Sequence, residues 1–184
     1  QEATRQSLGI SHPAIYQKAL SILDRFHLAN GHLLDFGAGQ GDFIKVLQGA
    51  ASFALHGVDL MYTAIPHVNW YVQDLNRSLQ FKENHFDVIT SLEVIEHLEN
   101  PRRILRDFNR VLKPGGRLIL TTPNNESWRS ILSFVVRGHF VSFTNSSYPA
   151  HITALNRSDL IRVFTEAGFT DIEVEFTDHG AVPW

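Results

Sequence analysis

Residues 33–43 read LLDFGAGQGDF: an apolar run, then Asp35, then glycines at alternate positions, Gly37, Gly39 and Gly41. Glycines directly after an apolar segment let the backbone turn sharply and approach a ligand with no Cβ in the way. A helix starting at Gly41 or Asp42 points its free N–H groups into the same crevice. A pyrophosphate-binding loop wants Gly-x-Gly-x-x-Gly. Here the spacing is Gly-x-Gly-x-Gly and position 42 is an aspartate, which repels a pyrophosphate. Asp35, just before the loop, is placed to meet a cationic group. The loop therefore suits a ligand with a positive end, and S-adenosylmethionine, with its ammonium and sulfonium, is such a ligand. Two more acids follow, Asp59 in GVDLM and Asp74 in YVQDL. Either alone reads as a cap or turn residue; together, at the ends of two strand-like runs, they read as hydrogen-bond acceptors facing a ligand. A third group, SLEVIEHL, sets Glu93, Glu96 and His97 at i, i+3 and i+4, one face if a helix starts there. Two carboxylates and an imidazole can hold a hard divalent cation such as Mg²⁺, although an imidazole is unusual for that ion. The same histidine can also serve as a base toward a hydroxyl, or simply pack.

These residues need elements to position them. Ile15, Ala19, Ile22, Leu23 and Phe26 recur at helical spacing, with Ser11 as the expected cap and Pro13 in the first turn. HLLDFG, FALHGVDL, NWYVQDL, HFDVITSL and RLILTTPN read as strands. GDFIKVLQGA, NPRRILRDFNRVL and NRSDLIRVFTEAGF read as helices, the second stopped by Pro114-Gly115-Gly116 and the third capped by Asn156 or Ser158. TDIEVEF closes with a strand-like alternation. Strands alternating with helices predict an α/β fold: a doubly wound, mostly parallel sheet with helices on both faces. Ligands in such a sheet sit beyond the carboxyl ends of the strands, where the glycine loop falls. The expected organisation is one domain over 1–184, with an N-terminal helical segment at 1–30 and an insert at 124–152 on the substrate side. Trp128, Phe134, Phe140, Phe143 and Tyr148 in that insert are candidates for an apolar lid.

In their order, DFGAGQG, GVDLM, YVQDL, FDVITSLEVIEHLENP, LKPGGRLILTTPN and LNRSDLIRVFTEAGF resemble the motifs of the class I S-adenosylmethionine-dependent methyltransferases, over about residues 31–176. The resemblance implies a Rossmann-like fold and S-adenosylmethionine as methyl donor. It implies that Gly37, Gly39 and Gly41 line the methionine portion, with Asp35 close by, and that Asp59 accepts from the ribose hydroxyls. Leu60 and Met61 would pack on the adenine, Asp74, beside Leu75, would accept from its amino group, and Leu92 would lie near the sulfonium. The EVIEH segment is similar to two branches of the family. One is the quinone-biosynthesis O-methyltransferases. The other is the small-RNA 2′-O-methyltransferases, in which a later histidine completes a metal site. Carried over, the metal ligands would be Glu93, Glu96, His97 and His151, for Mg²⁺ or another divalent cation, and His97 would be the catalytic residue. The family sheet ends in an antiparallel strand. Only TDHGAVPW follows TDIEVEF, so the last strand is expected to be missing, leaving an edge that invites self-association. The first residue is Gln1, so further chain is expected upstream.

The main expectation is O-methylation of a small molecule. The alternatives are a metal-assisted RNA 2′-O-methyltransferase and a non-catalytic module that binds S-adenosylmethionine. A net charge of −3 does not advertise a nucleic-acid face. Arg102, Arg103, Arg106 and Arg110 are expected to form a solvated helix face. The chain has no cysteine, no signal-like start and no run long enough to span a bilayer, so a cytoplasmic protein is expected. His12, His27, His32, His56, His67 and His85 are expected on surfaces or turns.

Overall fold

The structure, a computed structural model, describes residues 11–177. Residues 1–10 and 178–184, with His179 and most of the C-terminal TDHGAVPW, lie outside the described residues. Five strands form one sheet: β1 (Asn30–Phe36), β2 (Ser52–Asp59), β3 (Val68–Val72), β4 (Phe86–Leu92) and β5 (Leu112–Thr121). Their order is β3-β2-β1-β4-β5, and every pairing is parallel. Helices α1 (Pro13–Arg25), α2 (Asp42–Ala50), α3 (Pro101–Val111), α4 (Trp128–Arg137) and α5 (Arg157–Glu166) accompany it, with a 3₁₀ turn at Ile95–His97. This is the Rossmann-like doubly wound α/β fold. The chain builds outward from β1 to β3 and then returns to lay β4 against the other side of β1, so the strand order reverses between β1 and β4. That reversal opens a crevice at their carboxyl ends.

Both faces of the sheet are covered, so the central strands are apolar in consecutive residues. Alternation sends Leu34, Phe36, Val58 and Ile89 to a core shared with Ile104, Leu105 and Phe108 of α3. Leu33, Leu55, Val88 and Ile119 go to the opposite core, with Ala19 and Leu23 of α1 and Phe43, Ile44 and Leu47 of α2. Among the described residues no helix is long and apolar enough to cross a membrane.

Four local expectations are corrected. The cap of α1 is His12, not Ser11: His12 Nδ1 accepts from Ala14 N at 3.2 Å, while Ser11 N donates to Tyr16 Oη at 3.2 Å. Pro114-Gly115-Gly116 does not stop α3, which ends at Val111 and passes straight into β5. The register jumps from Phe86↔Leu112 to Val88↔Arg117, so the Pro-Gly-Gly turn bulges out of β5. TDIEVEF, residues 170–176, forms no strand. Its alternating acids turn to the first helix instead, where Glu175 meets Lys18 at 2.6 Å and Arg25 at 2.5 Å. The arginines of α3 are a solvated face only in part: Arg102 and Arg106 are exposed, holding Glu166 of α5 at 2.6 and 2.8 Å, whereas the other two are half-buried and tie α3 to backbone carbonyls. Arg110 donates to the Phe81 and Leu79 carbonyls at 2.8 Å each, and Arg103 donates to the Asn76 carbonyl.

Candidate active site

The turn from β1 into α2 is built on backbone that needs glycine. Gly37 has φ +76°, and a Cβ there would lie 2.4 Å from Val94 Cγ2. Gly41, the N-cap of α2, has φ +72°, and its Cβ would lie 2.0 Å from Ile65 Cδ1. Between them Gly39 N donates to Asp59 Oδ2 at 2.8 Å, and Leu60 N donates to Oδ1 at 2.7 Å. The carboxylate that closes β2 is thus fixed by the loop that closes β1. Oδ1 also takes a longer bond from Met61 N at 3.4 Å, while Oδ2 keeps a second acceptor direction.

Above these strand ends lies a cavity of about 1130 Å³. Asp35, Gly37, Gly39, Asp59 and Asp74 line it, as do Leu60, Met61, Leu75 and Leu92. Gly41 is not among the lining residues: its place is against Ile65 and Trp70, behind the loop. Leu60 and Met61 form a half-exposed apolar rim. Asp74 lies two residues beyond β3 and accepts from Asn76 N at 2.9 Å. His12, Tyr16 and Phe43 also line the cavity. Nothing in their spacing announces this, because packing of α1 on α2 brings them there; the Tyr16 and Phe43 ring centroids are 5.4 Å apart. Asp35 is buried, with one oxygen accepting from Thr90 Oγ1 at 2.7 Å. Burial, helped by the Asp59 charge, pushes its carboxyl up to about 7. A cation docked beside it would favour the ionised form.

The EVIEH segment departs from expectation. Only Ile95–His97 is helical, as a single 3₁₀ turn. Glu93 precedes it with left-handed backbone, φ +56°, held by its N–H donating to Thr121 Oγ1 at 3.0 Å. Glu93 lines the cavity but does not share a helix face with Glu96 and His97. The group that assembles is Glu96, His97 and His151, each with one atom within 4.8 Å of the others. Three of the four metal ligands that the resemblance implies, Glu96, His97 and His151, are thus gathered, and the fourth, Glu93, lines the same cavity outside that group.

His97 Nδ1–H donates to the Ala150 carbonyl at 2.7 Å, which leaves Nε2 as the nitrogen with a lone pair. Burial lowers its pKa below the usual imidazole value, so the ring is neutral near pH 7. His151 Nδ1–H donates to the Ser142 carbonyl at 2.5 Å, and its ring meets His97 edge-on with centroids 4.8 Å apart. Ile152 N and Thr153 N both donate to the Glu96 carbonyl, at 2.9 and 3.0 Å. The end of the insert is thereby clipped to the 3₁₀ turn. Of the aromatics expected in a lid, Tyr148 lines the cavity. Trp128 and Phe134 project from α4 and are half exposed; Phe134 stacks on Phe140, and Phe143 packs on His151. His139 is not among the lining residues.

The Glu96 side chain is 1% exposed. Burial first, and the neighbouring Glu93 second, push its carboxyl up to about 8. From the ordinary glutamate range of about 4.3 up to that value, the folded chain holds a proton that the unfolded chain has released, so this group's contribution to stability falls as pH rises. Glu96→Gln is therefore expected to raise the melting temperature more at pH 8 than at pH 5; an equal shift at both values, read by calorimetry, would contradict the assignment.

Comparison with known proteins fits this geometry. A family described as "Methyltransferase domain" matches residues 13–174. The chain is 24% identical over 153 residues to the ubiquinone biosynthesis O-methyltransferase of Idiomarina loihiensis, covering 77% of this chain and 63% of that one. Two solved structures share the fold. One is an S-adenosylmethionine-dependent methyltransferase of Mesorhizobium loti (TM-score 0.59, 15% identity, 78% of this chain and 76% of that one). The other is the phosphoethanolamine N-methyltransferase 2 of Haemonchus contortus in complex with S-adenosyl-L-methionine (TM-score 0.61, 24% identity, 86% and 38%).

Proposed function

The chain belongs to the methyltransferase-domain family, and we propose that it methylates a hydroxyl of a small molecule, with His97 as the base. The observation that carries this reading is that Asp35, Asp59, Asp74 and a carbonyl-oriented neutral imidazole open onto one cavity at the carboxyl edge of the sheet. When bound there, S-adenosylmethionine supplies an electrophilic methyl group on a sulfonium. Asp59 would accept from the ribose hydroxyls, Leu60 and Met61 would cover one adenine face, and Asp74 beside Leu75 would accept from the adenine amino group. Gly37 and Gly39 would line the methionine portion, Asp35 would hold its ammonium, and Leu92 would pack near the sulfonium. Gly41 contributes indirectly, by seating the loop on Ile65. His97 Nε2 would take the proton of the acceptor hydroxyl, and the bound donor would supply the methyl group and leave as S-adenosylhomocysteine. Residues 124–152 form the acceptor-side lid, of which 148–152 are the wall. The O-methyltransferase relative supports the choice of a hydroxyl. Of the α3 arginines, Arg103 and Arg110 are engaged by backbone carbonyls, and Arg102 and Arg106 share the Glu166 carboxylate.

The test is methyl transfer from labelled S-adenosylmethionine to a panel of phenols and catechols, with amines and RNA in parallel. Label in a hydroxyl product, undiminished by EDTA, is expected. Transfer to amines alone would remove the base role from His97. Transfer to RNA, lost in EDTA and restored by Mg²⁺, would bring back the metal-assisted reading.

A second measurement concerns Asp35. Its carboxyl, raised to about 7, must lose a proton to face an ammonium. Affinity for S-adenosylhomocysteine is expected to tighten from about pH 6 to about pH 7.5, with proton release visible when calorimetry is run in buffers of different ionisation heat. Asp35→Asn should flatten the profile; an unchanged slope would move the ammonium elsewhere.

A further inference from the structure

A second cluster of imidazoles lies at the other end of the same strands. His32 is near the start of β1, His56 is in the middle of β2, and His85 immediately precedes β4. The register pairs His32 with Ala54 and Leu34 with His56, so His32 and His56 are diagonal neighbours on one face of the sheet. The rest of that face is core: Leu34, Phe36, Val58 and Phe86. His56, expected on a surface or turn, is 4% exposed. One ring nitrogen from each of the three histidines lies within 4.8 Å of the others. His32 Nδ1 and His56 Nε2 are 3.1 Å apart, close to the roughly 3.3 Å that two nitrogens take about a tetrahedral ion with bonds of 2.0–2.1 Å.

The surroundings suit an ion rather than an ion pair. The nearby Asp87 carboxylate is engaged by Lys113 Nζ at 2.7 and 2.8 Å and by His32 N at 2.8 Å. Tyr71 Oη is 3.5 Å from His56 Nδ1. A proton on Nδ1, donated to that oxygen, leaves His56 Nε2 with its lone pair toward His32, as outer partners of metal-bound imidazoles do. The His85 ring makes no hydrogen bond to a described residue and is only partly covered, which leaves a way in. Burial and the neighbouring imidazoles keep His56 and His85 neutral at pH 7, the form that ligates.

We propose that His32, His56 and His85 form a Zn²⁺ site, three imidazole nitrogens with a fourth position open to water, separate from the cavity at the carboxyl edge. Three nitrogens and no carboxylate exclude the hard cations Mg²⁺ and Ca²⁺ and match Zn²⁺. The ion would join β1, β2 and the lead-in to β4 at the amino edge of the sheet.

The experiment uses the whole chain without a polyhistidine tag and titrates it with Co²⁺ alone, then displaces Co²⁺ with Zn²⁺. A visible absorption band typical of four-coordinate cobalt is expected, saturating and lost on adding Zn²⁺. His85→Ala and His32→Asn, both changes at partly exposed positions, are expected to weaken binding at least about tenfold. His97→Ala is expected to retain the band. At about a hundredfold excess of Zn²⁺ over Kd, the melting temperature should rise by about 5–10 °C in the parent and not in the His85 or His32 variants. Near-ultraviolet circular dichroism checks that the variants are folded. No saturable binding, binding unchanged in both folded variants, or a band lost in His97→Ala instead would each overturn the site.

Discussion

Replacing His97 with alanine is expected to lower kcat by about 10²–10⁴-fold, the usual worth of a positioned general base, while the Kd for S-adenosylhomocysteine changes by less than about twofold. The asymmetry follows from the geometry. Asp35, Asp59 and Asp74, the proposed partners of the nucleoside and its amino acid, take no hydrogen bond from His97, whose ring nitrogen is pinned to the Ala150 carbonyl. His97→Gln is a useful companion, because an amide can still donate to that carbonyl but cannot take up a proton near neutral pH. If both variants fall equally, proton transfer is what was lost. If glutamine restores turnover, or alanine never reduces it, His97 is a positioning or packing residue.

Asp59→Ala carries the second large expected effect, on binding. If Asp59 accepts from the two ribose hydroxyls as proposed, removing it costs about 1.5–3 kcal/mol, or roughly a tenfold to a hundredfold rise in Kd, since each 1.4 kcal/mol is tenfold. The same change strips the partners from Gly39 N and Leu60 N, bonded at 2.8 and 2.7 Å. The melting temperature of the ligand-free chain should therefore fall as well. Calorimetry with S-adenosylhomocysteine decides the matter, and an unchanged affinity would refute the ribose assignment. Asp59→Asn separates the two effects: its oxygen can accept one loop N–H, but its NH₂ opposes the other.

The strands and the glycine loop were legible because their signals are local. Short continuous apolar runs, alternate glycines and an acid at the end of β2 all lie within a few residues of what they predict. What local pattern could not supply was any feature decided by a distant partner. Ser11 and His12 are both plausible caps, and the Tyr16 hydroxyl decides between them by taking the Ser11 N–H. Glu93, Glu96 and His97 have the spacing of one helix face, yet Thr121 on β5 holds Glu93 in left-handed backbone and breaks the face. TDIEVEF alternates like a strand, but its acids are drawn to Lys18 and Arg25. His32, His56 and His85 share no spacing at all; only the parallel register gathers them.

The clip between the 3₁₀ turn and the end of the insert makes the proposed base and the proposed acceptor wall a single mechanical unit. Glu96 accepts from Ile152 N and Thr153 N, and His97 donates to Ala150, so residues 150–153 cannot lift without releasing the imidazole. An acceptor too bulky for the closed wall would unseat the very nitrogen that must deprotonate it. Size discrimination in this enzyme is therefore expected to show in turnover more than in occupancy: oversized hydroxyl compounds lodge in the cavity, inhibit, and go unmethylated.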